Sequence, residues 1–108
     1  MSPHTQMIID IITAELGHEV GIFVFGSRAR DDFKEFSDFD VGLYQSKEIA
    51  AKSLHKIREL LLESDIPFTV DLVDFATAGE EFKKLATENI QVWNNPSLIK
   101  SLMKSIKN

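Results

Sequence analysis

The sequence predicts an α/β (α+β) fold: a small mixed β-sheet of about four strands flanked by helices. Three observations carry this expectation. Helical-period segments alternate with short apolar runs rich in Val, Ile and Phe. Gly and Pro fall at the borders between them. With 108 residues, 44% hydrophobic and 27% charged, the composition suits one core, so a single domain over 1–108 is expected.

The elements follow in order. In "SPHTQMIIDIITAEL", Ser2 suits an N-cap and Pro3 the first helical position, and Met7, Ile8, Ile11 and Ile12 recur at helical spacing until Gly17. "EVGIFVF" (19–25) reads as a buried strand and "SRARDDF" as a short helical turn starting at Ser27. "FDVGLY" (39–44) is a second strand beside the first. The clearest helix is 46–65, capped by Ser46, with Ile49, Ala50, Leu54, Ile57, Leu61 and Leu62 along one side. After Pro67, "FTVDLVDF" (68–75) is a third strand. A helix over 77–89 would turn Phe82, Leu85 and Ala86 inward, "IQVW" (90–93) is a short fourth strand, and a last helix starts near Pro96. Leu98, Ile99, Leu102, Met103 and Ile106 share one face of that helix. No repeat or linker interrupts the order.

Composition removes several function classes. The 17 acidic and 12 basic side chains leave a net charge of -5. Such a balance disfavours nucleic acid as the main partner, because backbone contact relies on Lys and Arg. The chain has no cysteine, which excludes disulfides, thiolate metal sites and a Cys nucleophile. No apolar run reaches transmembrane length and the N-terminus lacks a signal-peptide layout, so the cytoplasm is the expected compartment and no membrane partner is expected. His4, His18 and His55 show no ligand spacing, "KIRELLLES" reads as a helix face, and Trp93 as a core or interface residue.

The chemistry concentrates in "VFGSRARDDFKEFSDFDVGLY", residues 24–44. A strand running into Gly26-Ser27 and a helical turn offers backbone N–H groups to an anion. Gly26 lets a phosphate oxygen approach, and Ser27 adds a hydroxyl donor. Arg28 and Arg30 suit phosphate oxygens or a neighbouring carboxylate. Taken alone, Gly-Ser is equally an ordinary turn; it is neither a Walker A loop nor a dinucleotide fingerprint.

Asp38 and Asp40 lie two apart at a strand start, which places them on one face about 6–7 Å apart. Two such carboxylates can converge on one hard cation, or on two Mg²⁺ ions roughly 4 Å apart. Asp71 sits among Val70, Leu72 and Val73, where an unpaired buried carboxylate would be costly and a shared metal would explain it. Asp74 competes with Asp71 for the third position, though strand alternation turns it to the opposite face. A turn cap at Asp38, or an ion pair between Asp71 and Arg28 or Arg30, would also account for these residues.

Gly26-Ser27, ten intervening residues, then Asp38-Phe39-Asp40 resembles the Gly-Ser…Asp-x-Asp signature of the DNA polymerase β-like nucleotidyltransferase superfamily. The fuller run "GSRARDDFKEFSDFDV" is similar to its minimal nucleotidyltransferase (MNT) subgroup, and "VDLVD" resembles the strand bearing the third aspartate. The resemblance implies the nucleotidyltransferase fold, with Gly26, Ser27, Arg28 and Arg30 at the nucleotide. It also implies a catalytic and metal-binding triad of Asp38, Asp40 and Asp71 on two Mg²⁺ ions, and AMP transfer from ATP. Asp31 departs from the subgroup, which has Gly there; with Asp32 it adds negative charge near the triphosphate.

Minimal members of this kind pair with a HEPN-domain toxin as its antitoxin. The implied function is AMP transfer to a hydroxyl, a tyrosine in that toxin. Neutralisation by binding alone, with the apolar C-terminal helix as a contact, is the alternative; a small-molecule, antibiotic-type transferase with the acceptor held at a dimer interface is another.

Overall fold

The Val-, Ile- and Phe-rich runs form four strands of one sheet in the order β3-β2-β1-β4. The computed structural model describes residues 2–30 and 38–107. The chain runs α1 (Pro3–Leu16), β1 (Gly21–Phe25), a 3₁₀ turn (Gly26–Arg28), β2 (Phe39–Tyr44), α2 (Ala51–Glu63), β3 (Val70–Asp74), α3 (Glu80–Ala86), β4 (Gln91–Asn94) and α4 (Pro96–Lys107). β1 is antiparallel to β2 and to β4, whereas β2 and β3 are parallel. The sheet is therefore mixed and helices flank it, as expected. Asp31 and Asp32 lie outside the described residues.

Strand alternation divides the side chains between two cores. One packs Ile22, Val24, Phe39, Val41, Leu43 and Leu72 against Ile8, Ile9 and Ile12 of α1 and Ile57 and Leu61 of α2. The other packs Phe23, Phe25 and Phe75 against Ile99, Leu102 and Ile106 of α4. Phe23 and Phe75 are fully buried, with ring centroids 4.8 Å apart in an edge-on arrangement. The Phe23 ring lies over Gly42, its partner on β2, where a methyl group would overlap the ring. Ile99, Leu102 and Ile106 of the α4 stripe are thus core, while Leu98 and Met103 are half-buried at its margins. Among the described residues, no helix is long and apolar enough to cross a membrane.

Local signals account for the ends of α1. Ser2 Oγ accepts from the Thr5 N–H at 3.1 Å, Pro3 opens the helix, and Gly17 closes it in the left-handed region with its N–H on the Thr13 carbonyl. The buried stripe is rotated from the expected one: Ile9 is buried with Ile8 and Ile12, while Met7 and Ile11 are half-buried.

Three helical expectations need correction. Helix α2 starts at Ala51, not Ser46, and Ala50 at its N-cap makes no side-chain bond. The reason lies 25 residues away: the Ile49 N–H donates to Asp74 Oδ2 at 2.9 Å, outside any helical ladder, and Ala50 after it is extended. Asp74 Oδ1 also accepts from the Ala76 N–H at 2.9 Å. Leu62 is 86% exposed, because Ile57 and Leu61 already fill the contact with the sheet. Helix α3 spans only Glu80–Ala86, and its Phe82 and Leu85 are 43% and 70% exposed. Ala86 faces the core as expected and Phe82 packs on Phe25 and Phe75, while the Lys83 side chain and buried Thr87 take the place expected of Leu85.

Asp74 is therefore structural, and its buried partner would lose its acceptor on truncation. Asp74→Ala is expected to lower the unfolding free energy by about 1–3 kcal/mol in urea titrations. Asp71→Asn, at an exposed position, is expected to change it by no more than about 0.5 kcal/mol.

Candidate active site

The site grows from one row across the sheet. Asp40 is paired with Phe25 of β1 on one side and with Asp71 of β3 on the other. Neighbouring strands lie about 4.8 Å apart, so the Asp40 and Asp71 carboxylates are lateral neighbours on one face. Asp38 precedes β2 and by alternation shares that face. Asp74, three residues beyond Asp71, falls on the other face and is buried against the start of α2.

Gly26 continues the row from Phe25 and turns the chain back over it. Its φ of 71° lies in the left-handed region, and a Cβ there would overlap Asp40 Oδ2. Glycine is needed twice over, for the backbone angle and for the carboxylate packed against it. The bonds of the following 3₁₀ turn use the carbonyls of Gly26 and Ser27, which accept from Ala29 at 3.1 Å and Arg30 at 3.2 Å. By helical geometry the N–H groups of Gly26 and Ser27 have no acceptor within the turn. Donors without turn partners thus lie beside a cluster of carboxylates, the complement a metal-bound polyphosphate requires.

The two arginines differ in placement. The Arg28 guanidinium lies 4.0 Å above the Phe39 ring and 4.9 Å from that of Phe68. Phe39 in turn packs on Phe68 at 4.5 Å and on Trp93 at 5.7 Å. Burial lowers the Arg28 pKa from its ordinary value, and the group stays charged. Arg28 therefore clamps the turn to the middle residue of the Asp-x-Asp run, a contact worth about 0.5–1 kcal/mol. Arg30 is exposed and lines a cavity beside Gly26.

Burial is distributed otherwise than the sequence suggests. Asp71 is exposed despite its apolar strand neighbours, since β3 is an edge strand. Asp40, in the middle of the row, is half-buried. Its carboxyl is held above the usual range, first by desolvation, then by the charges of Asp71 and Asp38. Those causes bring all three aspartates into one electrostatic site. Among the described residues, no group of three or more His, Asp or Glu side chains is placed to hold a metal ion as it stands. In chemical kind the donor set suits a divalent cation: hard carboxylate oxygens whose mutual repulsion it would cancel.

The stacking of Arg28 on Phe39 and the packing of Gly26 on Asp40 escape sequence reasoning. The glycine itself was the only local sign of the second.

The raised Asp40 pKa has a definite sign for stability. The folded state holds the Asp40 proton more tightly than the unfolded chain, so ionising it costs the fold stability. The cost is complete above the folded pKa and vanishes below the unfolded value of about 3.9. Asp40→Asn is therefore expected to raise the melting temperature at neutral pH in chelator. The gain should shrink as pH falls through the raised Asp40 pKa toward about 4. Thermal unfolding across pH, with and without Mg²⁺, checks both this and the loss of any Mg²⁺-dependent stabilisation in the variant.

The family described as polymerase beta, nucleotidyltransferase matches residues 7–97. A probable protein adenylyltransferase, MntA of Haemophilus influenzae, is 31% identical over 78 residues, covering 72% of this chain and 68% of that protein. A toxin–antitoxin crystal structure with AMP-PNP superposes with a TM-score of 0.79 at 16% identity, over 95% of this chain and 83% of the other. The complex of a tri-AMPylated Shewanella oneidensis HEPN toxin with its MNT antitoxin gives 0.75 at 15% identity, over 96% and 81%. At such identities the two structures establish a shared fold. With the family match spanning residues 7–97 and a relative 31% identical over 72% of the chain, the protein belongs to the polymerase β nucleotidyltransferase family.

Proposed function

We propose that this protein is a Mg²⁺-dependent adenylyltransferase that moves AMP from ATP to a tyrosine hydroxyl of a HEPN-domain toxin, acting as its antitoxin in the cytoplasm. The observation that carries the reading is the packing of Gly26 on the Asp40 carboxylate, in one row with Asp71. The similarity to MntA, named a probable protein adenylyltransferase, supports the protein acceptor. So does the fold shared with an MNT antitoxin bound to an AMPylated HEPN toxin.

Each residue then has a role. Gly26 and Ser27 present N–H groups and a hydroxyl to the phosphates, and Arg30 adds charge at the edge of the turn. Arg28 holds the turn in place from the Phe39 side. Asp38, Asp40 and Asp71 would hold two Mg²⁺ ions, and these would supply positive charge to the α-phosphate and the leaving pyrophosphate. The acceptor oxygen forms a bond to the α-phosphorus as the bond to pyrophosphate breaks. Asp71, at the exposed edge of the row, would help activate that hydroxyl by taking its proton.

Intact-mass measurement of the toxin, after incubation with this protein, ATP and Mg²⁺, tests the reading. A gain of one or more AMP units is expected, absent with Asp38→Asn, Asp40→Asn or Asp71→Asn. An unmodified toxin in a stable complex would point to neutralisation by contact; AMP transferred only to small hydroxylated compounds would point to the antibiotic-type reaction.

A further inference from the structure

The phosphate-facing turn has little of its own to hold it in place. It is a short 3₁₀ turn, Gly26–Arg28, that opens on a glycine and is closed by hydrogen bonds of 3.1 and 3.2 Å. Its position over the carboxylate row has to come from side chains. We propose that Phe68 is a positioning residue for the nucleotide: it closes the second side of an aromatic seat for Arg28, and so sets how tightly the turn binds the phosphates. The proposal rests on the nucleotide-transfer reading above and deepens it.

The seat is built from two segments of the chain. The Arg28 guanidinium carbon lies 4.0 Å from the centre of the Phe39 ring and 4.9 Å from that of Phe68, both inside the cation–π range of about 6 Å. The two rings are 4.5 Å apart and tilted by 48°, so they present two different faces to one cation. Phe39 is buried at the start of β2, with Trp93 edge-on at 5.7 Å. Phe68 precedes β3 and is half-buried, its ring held by His4 of α1, edge-on at 5.5 Å. The Phe39 N–H donates to the Thr69 carbonyl at 2.9 Å, which ties the Phe68 segment to β2 beside the rings.

This contact joins parts that the sequence keeps apart. Arg28 follows Ser27, Phe39 separates Asp38 from Asp40, and Phe68 comes shortly before Asp71. The turn is thereby placed against both strands that bear carboxylates. It is held from the far side of the sheet: alternation turns Phe39 away from Asp38 and Asp40, and both rings pack with the core beneath α1 and α2. Phe68 therefore acts on the nucleotide through Arg28. A turn that has slipped must be brought back by the ligand, so the apparent affinity falls with the fraction correctly placed. Losing one ring of a half-buried cation–π seat corresponds to a fall of about two- to five-fold.

Calorimetric titration of AMP-PNP with Mg²⁺ tests this on wild type, Phe68→Leu, Phe68→Tyr, Arg28→Gln and the Phe68→Leu/Arg28→Gln double variant. Phe68→Leu keeps an apolar side chain but lacks the aromatic face; it should weaken AMP-PNP about two- to five-fold at unchanged stoichiometry. Phe68→Tyr keeps the face and should bind as wild type does. In the Arg28→Gln background Phe68→Leu should cost nothing more, because the guanidinium it acts through is gone. Unchanged affinity in Phe68→Leu would overturn the proposal, as would equal weakening by Phe68→Tyr. A fall in stoichiometry alone, the mark of a ring that only supports folding, or losses that add in the double variant would overturn it too. All these outcomes leave the transfer reading standing, since wild type still binds. A wild type that binds no AMP-PNP would end that reading and the positioning role with it.

Discussion

The Cα of Gly26 lies against the carboxylate of Asp40, and the arrangement of this end of the sheet depends on that contact. Any side chain at residue 26 would meet Asp40 Oδ2, and the left-handed backbone angle would be strained as well. The turn can therefore fold down over the strand that bears the carboxylates. Turn N–H groups and acidic oxygens, which repel different partners and attract opposite ones, end up side by side. A polyphosphate with its cations is the ligand that satisfies both at once.

The two faces of the sheet divide the work. The turn is gripped on the face away from Asp40 and Asp71, where Arg28 stacks on Phe39 and Phe68. Behind the site, Phe23, Phe25 and Phe75 form an aromatic block under α4, with Phe82 leaning on its rim. That block fixes β1 and so fixes Gly26, the next residue. Asp74, so close in sequence to Asp71, belongs to the opposite face and tethers the chain entering α2. Two aspartates three residues apart thus serve different ends, separated by strand alternation alone.

Much of this was legible beforehand, because local rules decide it. Ser2, Pro3 and Gly17 mark α1; the apolar runs mark four strands; Gly26, Ser27, Asp38, Asp40 and Asp71 were picked out by spacing and kind. What escaped depends on contacts between distant residues. The start of α2 is set by Asp74 across 25 positions, so Ser46 looked like a cap and is not one. The period of α3 reveals a stripe but not which side faces the core, and seven residues are too few to decide it. Asp71 looked buried because its neighbours are apolar, yet it lies on an edge strand.

The most direct test is of Asp40 as the carboxylate that binds the cations. Mn²⁺, titrated in the presence of AMP-PNP and followed by the loss of the free-ion paramagnetic resonance signal, counts the bound ions. Two Mn²⁺ ions per chain are expected for the wild type, and fewer, more weakly held, for Asp40→Asn. Equal stoichiometry and affinity in the two proteins, or no Mn²⁺ binding by the wild type, would contradict a cation site built on this row of carboxylates.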